Sequence, residues 1–189
     1  MLTRSFKQSK SADPLFVLTC GPGSGKTTLL EALAARGLAT MPEAGRAIIR
    51  EQVEVGGTAL PWADRGAFAQ LIFERDLLSY HQAAARGAPV VFDRGLPDIA
   101  GYLRLCQLPS PEQIMREIRA RRYNRRVFIA PPWPEIFAQD TERKQSIGEA
   151  QATFDAISET YLGLDYELIP LPLVSIEERA QFALRNMGL

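Results

Sequence analysis

Few residues of this sequence belong to the types that build disulfide frameworks or metal clusters. Its two cysteines, Cys20 and Cys106, form neither a secreted disulfide framework nor a metal-ligand spacing. The single histidine, His81, has no Cys or His companion, which argues against metal binding by it. The apolar runs are only as long as a strand, so we predict neither a signal peptide nor a membrane span. A reducing cytoplasm is the simplest location for such a chain.

An excess of charge of either sign is also missing, because 22 Lys and Arg residues balance 22 Asp and Glu residues. No overall field therefore draws the protein to nucleic acid or to an anionic membrane, and neither partner is expected. One dense basic stretch is typical either of a site for an anionic partner or of a solvated helix face paired with Glu112 and Glu117. We favour the helix face. The arginines of this stretch are Arg116, Arg119, Arg121, Arg122, Arg125 and Arg126.

The order of the segments predicts an α/β fold. Short β-rich runs alternate with longer helical patterns, as in a parallel sheet covered by helices on both faces. We expect one domain over residues 14–189, preceded by a disordered leader over residues 1–13, for which a transit peptide is the alternative. The predicted strands are 15–20, 38–41, 89–93, 126–130 and 166–170. The predicted helices are 27–36, 42–53, 65–86 capped by Asp64, 97–106, 112–123, 140–162, and 175–187 with a Ser175–Glu178 capping box.

A glycine-rich turn between the first strand and the first helix predicts a phosphate-binding loop. Such a turn directs backbone N–H groups and the positive end of a helix dipole at phosphoryl oxygens. Lys26 can reach the β- and γ-phosphates, and the Thr27 hydroxyl can ligate Mg²⁺, with Thr28 as a weaker substitute. Cys20 departs from the usual pattern, which has glycine there; we expect a small side chain to be tolerated at the strand end. The loop comprises Gly21, Pro22, Gly23, Ser24, Gly25, Lys26, Thr27 and Thr28.

This loop predicts binding of a nucleoside triphosphate with magnesium, for which we take ATP. A glycine-rich turn with no ligand is the structural alternative.

A second signal comes from the continuous apolar run of residues 90–92, which predicts a strand buried on both faces. Asp93 then emerges at the carboxyl end of that strand, where ligands bind in open parallel sheets.

Four stretches together resemble one family: CGPGSGKTT at 20–28, MPEAGR at 41–46, FDRG at 92–95 and RYNRRVF at 122–128. The sequence looks like the small "predicted ATPase" proteins labelled as an AAA domain, over about residues 16–183. That family is similar to nucleoside and nucleotide kinases, including the ribosylnicotinamide kinase domain. The resemblance implies a three-layer P-loop fold whose five parallel strands have the order 2-3-1-4-5, with the Asp93 strand beside the phosphate-loop strand.

The resemblance also implies roles for residues outside the loop. Asp93 and Arg94 lie where related kinases carry an Asp-Arg pair. Asp93 can hold Mg²⁺ through water or accept a hydroxyl proton, and Arg94 can offset phosphoryl charge. The alternative is a helix-capping aspartate beside a surface arginine. Asp98 is expected to be only a first-turn helix residue.

Two further segments are assigned by the same resemblance. Glu43 and Arg46, one helical turn apart, would line the acceptor site, although an ordinary helix-start ion pair explains them equally well. A mobile lid near residues 139–150 would bring cations over the phosphates, with Arg143 as an in-chain arginine finger and Lys144 as second choice. A solvated charged helix is the alternative there.

The sequence therefore favours an Mg-dependent NTPase or a small-molecule kinase that uses ATP. Lys26, Asp93, Arg94 and Arg143 are the candidate catalytic residues, and Thr27 and Asp93 the candidate metal ligands. For a kinase, a nucleoside-like acceptor is expected from the resemblance alone. For an NTPase, the acceptor is water. A nucleotide-gated binding protein with slow hydrolysis is the alternative function. By analogy, the loop around residues 171–175 would contact the nucleobase.

Overall fold

A five-stranded parallel sheet forms the centre of the molecule. The computed structural model describes residues 14–21, 23–136 and 147–189. The strand order is β2-β3-β1-β4-β5, which confirms the α/β fold class and the order implied by the resemblance. The strands are β1 (Leu15–Thr19), β2 (Ala39–Met41), β3 (Val90–Asp93), β4 (Arg126–Ile129) and β5 (Glu167–Pro170).

Seven α-helices in the described ranges cover the sheet. One layer contains α1 packed on α7, and the other contains α4 packed on α3, α5 and α6. None of the helices in these ranges combines the length and the apolar character needed to cross a bilayer. A short 3₁₀ helix covers Pro134–Ile136. The helices are α1 (Lys26–Ala34), α2 (Ala44–Glu54), α3 (Arg65–Ala84), α4 (Leu96–Leu105), α5 (Glu112–Ala120), α6 (Ile147–Gly163) and α7 (Ile176–Met187).

The central position of β1 determines which segments meet at the edge of the sheet. Every residue of β1 is buried, as expected of a strand covered on both faces. It pairs with β3 on one side, where Leu18 lies opposite Asp93, and with β4 on the other, where Thr19 lies opposite Ile129. Because parallel strands end at the same edge, the segments that follow β1 and β3 lie next to each other.

Two helix ends agree closely with the predicted capping. The Asp64 side chain accepts a hydrogen bond from the Ala67 backbone N–H at 2.9 Å, which caps α3. Ser175 and Glu178 form the predicted capping box at the start of α7, where each side chain accepts from the other residue's backbone N–H.

Two predicted helix boundaries are wrong, each for a local reason. The second helix begins at Ala44 rather than at Pro42, because Glu43 is extended with φ −60° and ψ 128°. The fifth helix ends at Ala120 instead of continuing to Tyr123, because Arg121 is extended and Tyr123 turns into the core. Part of the predicted helix 140–162 is α6; residues 140–146 lie outside the described residues, as do the predicted leader 1–13 and Pro22.

Candidate functional site

The loop between β1 and α1 has the backbone that a phosphate site needs. Gly23 and Gly25 have φ values of 73° and 72°, in the left-handed region that glycine adopts without steric cost. Gly25 is the N-cap of α1 and, within the described residues, provides no side-chain cap, so the first amides of the helix remain available to a ligand. Thr27 and Thr28 are both exposed at this helix start. Backbone donors and hydroxyls therefore converge on open space.

Lys26 lies beneath this loop and is only 6% exposed. Its Nζ donates to the Gly21 carbonyl at 2.7 Å, and that carbonyl also accepts from Ser24 Oγ at 2.8 Å. Burial, together with the nearby charge of Arg94 and against that of Asp93, lowers the pKa of Lys26 to about 8. An ammonium has three N–H donors, so two remain for an anion.

Cys20 occupies the position where the usual loop has glycine, and its backbone is strained. Its φ of 114° lies in a region that side chains rarely adopt, and the residue is buried. Burial raises the pKa of the thiol to about 11, so the group is neutral at physiological pH and a poor nucleophile. The small side chain fits at the strand end as expected, but at the cost of backbone strain of a kind that collects at functional sites.

Asp93 lies across from the loop, at the end of β3, with a buried oxygen that lacks a partner. Among the described residues, Oδ1 of Asp93 has no hydrogen bond. Burial raises the pKa of this carboxyl, against the effect of Lys26 and Arg94. A buried polar atom without a partner is costly, so its position at the ligand-binding edge indicates a missing ligand.

The same observation tests the fit of Mg²⁺. This ion usually keeps several waters and is held by one or two side chains together with substrate phosphates. Asp93 Oδ1, at the end of β3, and the exposed Thr27 hydroxyl, in the first turn of α1, are oxygen donors of this kind. Within the described residues, no group of three or more His, Cys, Asp or Glu side chains could hold a metal.

Arg94 connects the candidate catalytic edge to two carboxylates. Its side chain is 19% exposed, with Nε 3.4 Å from Glu43 Oε1 and Nη1 3.6 Å from Asp98 Oδ1. Burial lowers the pKa of the guanidinium, but Glu43, Asp98 and Asp93 outweigh it and raise the pKa overall. Like Cys20, Arg94 has a positive φ, of 75°. It is therefore held in one orientation at the sheet edge rather than extended into solvent.

Glu43 lies within the same cluster, whereas Arg46 lies at its margin. Glu43 Oε2 is 4.0 Å from Arg46 Nε, and the Arg46 side chain is 47% exposed. The structure thus brings Lys26, Asp93, Arg94 and Glu43 together at one edge. Arg143, Lys144 and most of the predicted lid lie outside the described residues.

Sequence reasoning missed the role of Asp98, which was expected only to occupy the first turn of a helix. Asp98 is in the first turn of α4, but it is buried and accepts hydrogen bonds from Thr19 Oγ1, from the Gly95 N–H at 2.9 Å and from Tyr161 Oη at 2.6 Å. It therefore joins the end of β1 and helix α6 to Arg94. The i,i+4 spacing of Arg94 and Asp98 is the sequence signal that could have found it.

Arg179 was also missed, and it supports the phosphate loop from the other side. This residue of α7 is 2% exposed, and both terminal nitrogens donate to the Ser24 carbonyl at 3.1 Å. Its guanidinium lies 5.4 Å from the centre of the Trp133 ring. Two charge-assisted hydrogen bonds fix the loop backbone, and nothing in the sequence spacing indicates this contact.

The basic stretch is largely accounted for by partners within the chain, which supports the helix-face interpretation. Arg119 pairs with Glu112 at 3.7 Å, and Arg121 pairs with Glu117. The other contacts of the stretch run to neighbouring backbone and rings: Arg122 donates to the Leu164 carbonyl at 2.8 Å and lies 4.0 Å from the Tyr166 ring centre, and Arg126 donates to the Asn186 carbonyl at 3.0 Å.

Comparisons with known proteins agree with this geometry. A family model described as an AAA domain matches residues 15–179. The fold is similar to the crystal structure of thymidylate kinase from Ehrlichia chaffeensis, with a TM-score of 0.62 and 14% identity over 95% of this chain and 100% of that one. It is also similar to deoxyadenosine kinase from M. mycoides, solved with the products dCMP and a flexible dCDP, with a TM-score of 0.60 and 9% identity over 92% and 98% of the two chains. No curated protein matches the sequence.

Proposed function

The chain belongs to the AAA-domain family of P-loop proteins, and we propose that it is an Mg-dependent phosphotransferase that moves the γ-phosphoryl group of ATP to the hydroxyl of a small molecule. One observation carries the proposal. The buried ammonium of Lys26, beneath the phosphate loop, and the unpartnered oxygen of Asp93, at the end of β3, lie near a loop whose backbone donors are available. Cation, metal ligand and amide donors are the parts that phosphoryl transfer requires.

Each group of residues in the site has its own role in the transfer. Amides of Gly23 and Gly25 and the Lys26 ammonium bind the β- and γ-phosphates. Thr27 and Asp93 would hold Mg²⁺, which when bound would supply positive charge that neutralises the phosphates. The acceptor oxygen forms a bond to the γ-phosphorus while the bond from that phosphorus to the β,γ-bridging oxygen breaks, and ADP leaves. Glu43 takes the proton of the acceptor hydroxyl.

Arg94 and the lid complete the proposed arrangement. Arg94, held between Glu43 and Asp98, directs positive charge at the phosphoryl group during transfer. Arg143 of the lid is proposed as an arginine finger that closes over the phosphates and excludes water. In both roles the arginine assists transfer by placing positive charge near the phosphates, and neither side chain forms a covalent bond.

Tracing the γ-phosphoryl group tests this function. We would incubate the protein with γ-labelled Mg-ATP, with and without a pool of nucleosides and small alcohols, and separate the labelled products. The proposal predicts label on an organic acceptor and little release as phosphate. Slow release that is indifferent to the pool would instead support an NTPase or a nucleotide-gated switch, and would overturn the assignment of a phosphotransferase.

The lowered pKa of Lys26, about 8, predicts that ATP affinity depends on pH. Below pH 8 the ammonium is charged before the nucleotide arrives, whereas above pH 8 binding must restore the proton. We therefore expect affinity for Mg-ATP to fall by up to about tenfold per pH unit above pH 8, as one linked proton requires. Calorimetry at pH 8.5 in two buffers of different ionisation enthalpy would measure proton uptake. The same uptake in Lys26→Ala would contradict this assignment.

Tyr161 should act as a positioning residue through Asp98. Tyr161→Phe removes one hydrogen bond to a buried carboxylate, which should lower the free energy of unfolding by about 2 kcal/mol. Because Asp98 orients Arg94, we also expect kcat to fall by about tenfold, with the KM for ATP little changed. Tyr80→Phe is the matched control, since its hydroxyl donates to the Arg122 carbonyl away from the site. A fully folded Tyr161→Phe with unchanged kcat would leave Tyr161 only a structural role.

A further inference from the structure

Arg179 holds one peptide group of the phosphate loop from the side of helix α7. Both terminal nitrogens of its guanidinium donate to the Ser24 carbonyl at 3.1 Å, and the residue is only 2% exposed. Within the described residues, no other group donates to this carbonyl. Two nitrogens on one oxygen fix its direction more strictly than a single donor does.

The direction of this carbonyl also sets the direction of the next amide. The Ser24 carbonyl and the Gly25 N–H belong to one trans peptide group, in which the two bonds point in opposite directions. The guanidinium therefore turns the carbonyl toward α7 and the N–H away from it. Gly25, with a φ of 72°, donates this N–H to no acceptor in the described part of the chain. The amide is thus kept available for a ligand.

The charge of the guanidinium lacks a counter-ion among the described residues. A buried arginine ordinarily has a charged partner, yet Arg179 forms no salt bridge in these ranges and its buried Nε has no acceptor. The adjacent carboxylates of α7 are bound elsewhere: Glu177 pairs with Arg36, and Glu178 caps its own helix. Burial lowers the pKa of Arg179. Such a site favours an anion nearby.

Helix α7 keeps the guanidinium in place. The capping box of Ser175 and Glu178 closes its first turn, and the Glu177 contact with Arg36 joins that turn to α1. The centre of the Trp133 ring lies 5.4 Å from the guanidinium carbon, close enough for a cation–π interaction but not for neutralisation of the charge. The side chain is therefore held in one position rather than free to follow the loop.

Resting on the proposed function, we propose that Arg179 is a positioning residue of the nucleotide site. It orients the Ser24–Gly25 peptide so that the Gly25 N–H meets a phosphate oxygen, and the bound polyphosphate supplies the counter-charge that the guanidinium lacks. Because Arg179 acts through the loop and does not touch the nucleotide, its effect concerns the polyphosphate and not the base. Inorganic tripolyphosphate should therefore depend on Arg179 as strongly as ATP does.

Calorimetric titrations with Mg-ATP and with magnesium tripolyphosphate test this proposal. Arg179→Lys keeps the charge but cannot hold the carbonyl with two nitrogens, and Arg179→Met loses both features. We expect Arg179→Lys to bind both ligands about tenfold more weakly than the wild type, and Arg179→Met about 100-fold more weakly. Arg185→Met, at an exposed arginine in the last turn of α7, is the matched control and should bind both ligands like the wild type.

Backbone amide shifts separate a positioning role from a purely structural one. At saturating Mg-ATP, the Gly25 amide should move downfield less in Arg179→Lys than in the wild type, whereas the Thr27 amide should move equally in both. A variant that is only less stable would contain less folded protein, without a selective change at one amide. Thermal unfolding identifies the variants that fold; if Arg179→Met does not, Arg179→Lys alone decides the test.

Equal losses for the two ligands, together with the selective effect at Gly25, would support the inference. Wild-type affinities in the folded Arg179 variants would overturn it. So would a loss confined to Mg-ATP, which would place the arginine at the nucleobase. The proposed function fails differently: a wild type that binds neither ligand would overturn the nucleotide site and the inference together. If the wild type binds and transfers while the variants match it, only the role of Arg179 is wrong.

Discussion

Replacing Asp93 by Asn is expected to reduce phosphoryl transfer by about 10²- to 10³-fold, the usual effect of removing one group that stabilises transition-state charge. Asn has the same shape as Asp but no charge, so the buried oxygen at the sheet edge can no longer hold a hydrated cation strongly. Affinity for ATP itself should change little, because the loop amides and Lys26 remain. Single-turnover transfer and equilibrium ATP binding, measured on the same preparation, separate the two effects.

Asp155→Asn provides the matched control for this experiment. Asp155 is an exposed residue of α6 that accepts a hydrogen bond from Gln151 at 2.9 Å. It should retain wild-type transfer. Wild-type transfer by Asp93→Asn would show that its carboxylate is a helix-start residue without a part in the chemistry, which is the alternative interpretation of the sequence.

Replacing Lys26 by Ala is expected to impair both binding and transfer. The variant loses charge-assisted hydrogen bonds to phosphate, which should weaken ATP binding by about 10- to 100-fold. Transfer should fall by about 10³-fold, because the same ammonium stabilises charge on the transferring group. Calorimetry with Mg-ATP and rapid-quench transfer assays would measure the two losses.

The stability of the variant distinguishes a binding role from a folding role. In the absence of nucleotide, Lys26 is a buried ammonium, and burial and the charge of Arg94 lower its pKa. Removing such a group should leave thermal stability equal to or above that of the wild type. Glu31→Ala, at an exposed residue of α1 beyond the loop, is the control and should bind ATP almost normally. Unchanged ATP affinity in a folded Lys26→Ala would contradict the assignment of the loop.

The sheet was predictable because its strands carry strong local signals. The apolar runs of β1 and β3 are buried along almost their entire length. Glycine and proline residues between these runs and the helices mark where the elements end. The strand order came from the resemblance. The predicted end of α5 was wrong because tertiary contacts determine it. The sequence of 121–123 continues the helical pattern, but Tyr123 packs in the core against Phe92 and Tyr80. This packing requires an extended backbone at Arg121.

The site was predictable only as far as its residues follow a strand or a loop. Lys26 follows the loop after β1, and Asp93 and Arg94 lie at the end of β3, so their common edge follows from parallel topology. Asp98 and Tyr161 lie on two separate helices, and no spacing in the sequence indicates that they contact one another. Long-range packing between α4 and α6 sets that contact, and only a three-dimensional structure can reveal it.

The central claim, that the loop after β1 binds the phosphates of a nucleotide, is tested most directly by backbone amide chemical shifts. A titration of isotope-labelled protein with Mg-ATP should produce large, saturable downfield shifts at Gly23, Gly25, Lys26 and Thr27, because their N–H groups would donate to phosphate oxygens. In the same titration, the shifts of the Lys26→Ala variant should saturate only at a much higher concentration of Mg-ATP. Shifts confined to other parts of the chain, or no saturable shift at these four amides, would contradict the account.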